Sequence, residues 1–277
     1  MNKKKPYQII ATDLDGTLLN SKAEISRENR EAIQKLTDKG IFVVPSSGRT
    51  LSEIPKELRE SREIRYIIHS NGAVVLDKLT GERILSCLSK ALSQKVWDIV
   101  TSYDTHLTVR YDGRCFVDSR FQSDEDYEYY HVCIPHQTVV KNFAEHLENF
   151  EQQIRSVEDI EVFSVFFHNP EERIACRKVI EGTDGLSVVD VDPNNLEIIS
   201  GKAGKGTALY ALADKLGIDR TATIAVGDSD NDKSIVKAAG MGISVSNACD
   251  ELKALADEII CSNEEHAMAY ILEHYFN

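Results

Sequence analysis

Two short apolar runs in this chain each open into a cluster of carboxylates, and that pairing restricts the fold more than any other feature. Ile9-Ile10-Ala11 leads into Asp13-Leu14-Asp15-Gly16-Thr17, and Thr223-Ile224-Ala225-Val226 leads into Gly227-Asp228-Ser229-Asp230-Asn231-Asp232. Buried strands that end in polar loops belong to parallel α/β sheets, where ligands bind beyond the carboxyl ends of the strands.

The flanking pattern agrees. A helix is expected from Ser26, an N-cap residue, with Ala32, Ile33 and Leu36 on one face and Gly40 as its stop. Ile41 to Val44 reads as the next strand and Tyr66 to Ile68 as a third. Near Gly81 the grammar changes. Leu88, Leu92, Val96, Ile99 and Val100 mark a helix, and Thr108 to Val117 reads as a hairpin about Asp112-Gly113. Helices over Asn142 to Ile154 and Pro170 to Glu181, with strands at Ile160 to Phe167, Leu186 to Val191 and Leu196 to Ile199, complete this middle region. After Gly201 the βα alternation returns, with a helix over Thr207 to Leu216 stopped by Gly217 and a strand at Ile243 to Val245. The expected organisation is therefore a discontinuous α/β domain, residues 1–81 and 201–277, interrupted by an inserted α+β domain, residues 82–200.

Composition narrows the function. With 42% hydrophobic and 28% charged residues, the 277-residue chain fits neither disorder, collagen nor coiled coil. The net charge is −13, which argues against nucleic acid or an anionic membrane as partner. No apolar run approaches the ~20 residues of a membrane-spanning helix. Lys3-Lys4-Lys5 reads as a solvated tail, because Asp13 and Asp15 break the adjoining apolar stretch before a signal-peptide core can form. The six cysteines are widely spaced without a Cys-x-x-Cys pair, so reduced, mostly buried thiols and a cytoplasmic location are expected.

Residues two apart on a strand face the same way, so Asp13 and Asp15 are expected to leave the sheet together, and two close carboxylates call for a cation or a shared proton. All-oxygen ligands suit a hard cation, Mg²⁺ beside a substrate phosphate in particular. A helix-loop-helix Ca²⁺ site fits poorly, because Lys233 stands where Gly is required and Ala239 where Glu is required. Ser46-Ser47-Gly48-Arg49 and Lys202-Ala203-Gly204-Lys205-Gly206-Thr207 offer hydroxyls, backbone N–H groups and positive charge to an anion. The latter lacks the spacing of a nucleotide-binding P-loop. His131, Cys133 and His136 lack a fourth partner for zinc, and Trp97 reads as a packing residue.

Asp13-Leu14-Asp15-Gly16-Thr17, Ser47-Gly48-Arg49, Asn71-Gly72, Lys205-Gly206, Gly227 to Asp232 and Gly240-Met241-Gly242-Ile243 through Asn247-Ala248 occur in the order found in haloacid dehalogenase-like phosphatases. The chain resembles their Cof-type group, with Ser47 where the family often has Thr. The resemblance implies a Rossmann-like three-layer core with a mainly parallel sheet and an inserted α/β cap. It further implies a Mg²⁺-dependent phosphatase acting on small phosphorylated metabolites. Asp13 would be the nucleophile and Asp15 the general acid and base. Mg²⁺ would be held by Asp13, the Asp15 backbone carbonyl and Asp228. Leu14, Ser47, Gly48, Lys205 and Asn231 would bind the substrate phosphate, and Asp232 would orient its neighbours. Alternatives are a phosphomutase of the same superfamily or a non-catalytic phosphate-binding or regulatory protein, and the oligomeric state is open.

Overall fold

A computed structural model describes residues 7–121, 123–190 and 192–276. The Lys3-Lys4-Lys5 run and Val191, read above as the end of a strand, lie outside the described residues. The chain divides into two compact units, Met1–Gly48 with Lys56–Ile84 and Gly204–Asn277, and Arg49–Pro55 with Leu85–Ala203. No helix among the described residues is long and apolar enough to cross a membrane.

In the first unit five strands form one sheet in the order Glu258–Ile260, Met241–Val245, Thr223–Gly227, Ile9–Thr12 and Phe42–Pro45. Every neighbouring pair is parallel. Ile9–Thr12 and Thr223–Gly227 are buried along their whole length, as strands covered on both faces must be. The helix Arg27–Asp38 starts where Ser26 Oγ accepts the Asn29 N–H at 3.2 Å, and it buries Ala32, Ile33 and Leu36. The helix Lys205–Leu216 starts one residue after Gly204, two residues earlier than the periodicity of its apolar side chains indicates, and stops at Gly217.

One expectation for this unit needs correction, and two of its elements were not read from the sequence. Tyr66–His69 pairs antiparallel with Val74–Asp77, because the Ser70–Gly72 turn reverses the chain, and only the Ser46–Ile68 bridge is parallel. The strand Glu258–Ile260 carries too little apolar pattern to be expected, being three residues long with Ile259 half exposed. The helix Ala267–Phe276, which packs against Arg27–Asp38, is also absent from the reading of the sequence.

The second unit is built on a six-stranded sheet in the order Leu186–Val189, Asn195–Ser200, Ile160–Phe167, Thr105–Tyr111, Arg114–Asp118 and Ala144–Leu147. All pairs are antiparallel except the last. This is the α+β grammar expected of the middle region, beside an α/β first unit. Leu107, Val109, Phe163, Val165 and Ile198 join one core with Val96, Trp97 and Val100 of the helix Lys90–Val100 and with Cys176 and Ile180 of the helix Pro170–Glu181. Trp97 stacks obliquely on Phe150 at 5.7 Å, a packing role.

The expected helix Asn142–Ile154 is instead a helix Ile134–Phe143, the strand Ala144–Leu147 and a helix Phe150–Ser156. Phe143, Leu147, Phe150 and Ile154 have helical spacing, but pairing Ala144–Leu147 with the sheet edge satisfies the backbone there. Leu88 likewise lies outside the helix expected of it, and its N–H donates to the Ile160 carbonyl at 2.8 Å. All six cysteines are free thiols, but only Cys115 and Cys176 are buried.

Thr108 and Arg110 on one central strand and Glu197 on another alternate with residues of that apolar core and are buried polar groups. Arg110, 5% exposed, lies 2.6 Å from Glu197 and 3.4 Å from Glu53, themselves 6% and 2% exposed. Burial raises the Glu53 pKa against the pull of Arg110. Removing Arg110 takes the paired cation from two buried carboxylates, which typically costs about 3–5 kcal/mol. Arg110→Met is therefore expected to lower stability by about that much in a denaturant melt. Adding Glu53→Gln and Glu197→Gln should restore most of the loss, and a triple variant as unstable as the single one would refute the electrostatic account.

Candidate active site

Sheet register assembles the site. Thr12 aligns with Val226 on one side and Pro45 on the other. The Asp13 N–H donates to the Val226 carbonyl at 2.9 Å and the Ser46 N–H to the Thr12 carbonyl at 2.8 Å. The loops holding Asp13, Ser47 and Asp228 thus leave adjacent strands at one edge. The strand itself ends at Thr12, so the expected strand alternation does not place the two acidic side chains: Asp13 is buried while Asp15, within the turn that follows, is exposed. Gly16 takes a left-handed φ of 73° in that turn, and a Cβ there would lie 2.7 Å from Asp228 Oδ2. The residue must be glycine for the first loop to close on the second.

Lys205 is 1% exposed, and its Nζ donates to Asp13 Oδ1 and to Asp232 Oδ1, each at 2.6 Å. Burial works against its charge, but the two carboxylates hold its pKa above the ordinary lysine value. Burial also drives the Asp13 carboxyl well up, opposed by Lys205 and reinforced by Asp232 and Asp228. Asp232, fully buried, accepts on its other oxygen from the N–H groups of Asp228 at 3.0 Å and Ser229 at 3.2 Å. It is committed to holding Lys205 and the loop. Asp228 is pushed to about 6 by burial and by Asp232, while a 3.1 Å hydrogen bond from Thr17 Oγ1 opposes the rise.

One oxygen from each of Asp13, Asp228 and Asp232 lies within 4.8 Å of the others. Three carboxylates against one lysine leave the cluster two negative charges in excess when all are ionised. With both oxygens of Asp232 engaged, Asp13 and Asp228 are the carboxylates of the cluster left to offer oxygens, and such donors beside that deficit fit a hard divalent cation such as Mg²⁺.

Leu14, Asp15, Ser47, Gly48 and Asn231 are carried by loops leaving the same sheet edge. Leu14 and Ser47 are buried, and the Ser47 N–H donates to the Ile68 carbonyl at 3.0 Å. Asn231 Oδ1 accepts from Ser229 Oγ at 2.9 Å. Asp230 turns away from the cluster to Lys233 at 2.7 Å, so two and not three carboxylates of its motif face Asp13. Arg49, not assigned a role above, donates from Nη1 to the Glu53 carbonyl at 3.0 Å. Sequence reasoning missed Thr17 as the partner of Asp228 and Asn247, whose Nδ2 donates to the Gly16 carbonyl at 2.8 Å. Both stand in motifs already noted, but their contacts span more than 200 residues of chain.

The parallel sheet, with ionisable groups gathered beyond its carboxyl ends, defines an α/β enzyme. The family profile for haloacid dehalogenase-like hydrolases matches residues 10–272, and the chain belongs to that family. It is 32% identical over 284 residues to the phosphatase YwpJ of Bacillus subtilis, covering 96% of this chain and 99% of that one. It is 30% identical to the B. subtilis 5-amino-6-(5-phospho-D-ribitylamino)uracil phosphatase YcsE, covering 97% and 95%. The solved structure of a haloacid dehalogenase-like hydrolase from B. subtilis superposes with a TM-score of 0.78 at 29% identity, covering 96% and 99%. These likenesses bear out the Cof-type resemblance read from the order of the motifs.

Proposed function

We propose that this chain is a Mg²⁺-dependent phosphatase that hydrolyses small phosphorylated metabolites through an aspartyl-phosphate intermediate. The observation that carries the reading is Asp13, a buried carboxylate fixed through one oxygen by Lys205. Its Oδ2 attacks phosphorus as the ester P–O bond breaks, and Asp15 supplies the proton to the departing alkoxide. Asp15, now a base, takes a proton from water, which attacks the acyl phosphate and releases inorganic phosphate with Asp13 regenerated. Lys205, Ser47, Gly48, Asn231 and the Leu14 backbone N–H face the phosphoryl oxygens and stabilise charge that builds on them. Asp13, Asp228 and the Asp15 carbonyl would hold Mg²⁺, which offsets repulsion between the carboxylate and the phosphate dianion.

The inserted unit is the natural seat of substrate choice, since the first unit carries the chemistry complete. The named activity of the YcsE relative supports sugar phosphates and phosphorylated cofactors as the classes to test first. Six free thiols support a cytoplasmic setting.

The reading is tested by phosphate release from a panel of small phosphate monoesters, with Mg²⁺ and with chelator. Chelation is expected to lower the rate at least about 100-fold, with recovery on adding Mg²⁺ back. A rate indifferent to chelator would remove the metal from the proposal, and no release from any ester by folded protein would remove the activity.

A further inference from the structure

Ser70, Asn71 and Gly72 take three successive left-handed backbone conformations, with φ of 52°, 54° and 84°. Only the glycine does so without steric penalty. Ser70 and Asn71 are 0% and 2% exposed, so the strain is buried, and it is held where surrounding structure fixes it. The His69 ring, also buried, meets Ser70 Oγ through Nδ1 at 3.0 Å. Asn71 and Gly72 are residues that ordinary hairpin turns place at positive φ, but a third left-handed residue, the buried Ser70, goes beyond what reversing the chain requires.

The surroundings explain it. The Asn71 N–H donates to the Ser47 carbonyl at 3.1 Å, and a Cβ on Gly48 would lie 2.9 Å from Asn71 Oδ1. On the other side, a Cβ on Gly72 would lie 2.2 Å from the Gly204 carbonyl oxygen and 2.8 Å from the Lys205 nitrogen. One rigid turn therefore touches both the Ser47–Gly48 loop and the first residue of the helix that carries Lys205.

We propose that the Ser70-Asn71-Gly72 turn is a spacer that sets the separation of these two arms, so that both meet the same phosphoryl group. Asn71 and Gly72 are positioning residues that act through Ser47 and Lys205. The proposal rests on the phosphatase reading for the identity of the ligand. Preorganised donors lose effect when displaced by fractions of an ångström, which gives a buried, strained turn a reason to persist.

The test compares Gly72→Ala, Asn71→Ala and Asn71→Gly with wild type. Calorimetry with inorganic phosphate and Mg²⁺ measures binding, and steady-state hydrolysis of an ester from the panel separates kcat from KM. Gly72→Ala, which presses on the Gly204 carbonyl, is expected to weaken phosphate binding about tenfold or more and to raise KM in step. Asn71→Ala, which keeps the strain but loses the residue suited to it, should weaken binding several-fold. Asn71→Gly, which takes the left-handed conformation freely, should stay within about threefold of wild type.

Should Gly72→Ala fail to fold, the two Asn71 variants still decide the matter. Equal loss in Asn71→Gly and Asn71→Ala overturns the backbone spacer and assigns the effect to the side chain. Folded variants that melt at lower temperature yet bind phosphate as wild type does reduce the turn to a structural element and overturn the proposal. If wild type binds phosphate but hydrolyses no ester, and Gly72→Ala still weakens that binding, the phosphatase reading fails while the spacer stands.

Discussion

Asp13→Asn is expected to end phosphate release, by at least about 10⁴-fold, while leaving the protein folded. The amide is nearly isosteric with the carboxylate, so the buried loop keeps its packing. It cannot form an acyl phosphate, because its nitrogen and carbonyl oxygen lack the charge and basicity of the ionised acid. Lys205 would lose one of two carboxylate partners but keep Asp232 at 2.6 Å. Burial and two neighbouring carboxylates already drive the Asp13 pKa upward, so removing its charge relieves repulsion as well as ending attraction. Stability should therefore change little, and a denaturant melt run beside the rate assay separates lost chemistry from lost fold. Retention of more than about one per cent of the wild-type rate would show that the nucleophile lies elsewhere and would sink the covalent mechanism.

How much of this was legible in the sequence depends on the range over which each feature is decided. The motif residues lie beside strands whose apolar runs are local, so the loops of Asp13, Ser47 and Asp228 could be placed at one sheet edge from periodicity and parallel topology alone. The fate of individual carboxylates could not. Asp228, Asp230 and Asp232 alternate along one short stretch, yet Asp230 pairs outward with Lys233 and Asp232 pairs inward with Lys205. That choice is made by a tight turn at Ser229 and by a lysine 27 residues away. Lys202 and Lys205 were similarly hard to tell apart by spacing, and the start of the helix at Lys205 separates them, burying one and exposing the other.

In the second unit the failure has a different cause. Phe143, Leu147, Phe150 and Ile154 satisfy a helical pattern, but the backbone of Ala144–Leu147 completes the edge of a sheet that only the folded unit presents. Local periodicity was outweighed by a tertiary pairing. The buried Arg110–Glu197–Glu53 group was illegible for the same reason, since its members lie 57 and 87 residues apart on separate elements.

Lys205 is the residue whose loss should be felt both in the rate and in the fold. With Lys205→Met, Asp13 and Asp232 remain buried with no cation 2.6 Å away, and uncompensated charge of this kind costs about 3–5 kcal/mol. Losing the cation raises the folded Asp13 pKa, already driven up by burial, further above that of the unfolded chain, and protonation there lets the variant escape part of that cost. The native state then binds more protons than the unfolded state between those values, so the slope of stability with pH is negative. The variant should accordingly be least deficient near pH 5 and progressively worse toward pH 8, relative to wild type. A protonated Asp13 is no nucleophile and the phosphoryl oxygens lose a fixed charge, so the rate should fall by about 10²–10³-fold or more. Arginine should not substitute, because its planar fork is larger than an ammonium enclosed at 1% exposure. Adding Asp232→Asn to Lys205→Met removes one stranded charge and is expected to return much of the stability but none of the rate. Melts at two pH values and a rate assay on the single and double variants make the test. A single variant of wild-type stability at pH 8 would show that Lys205 does not neutralise the carboxylates, and a double variant that regains activity would show that it does not serve the phosphoryl group.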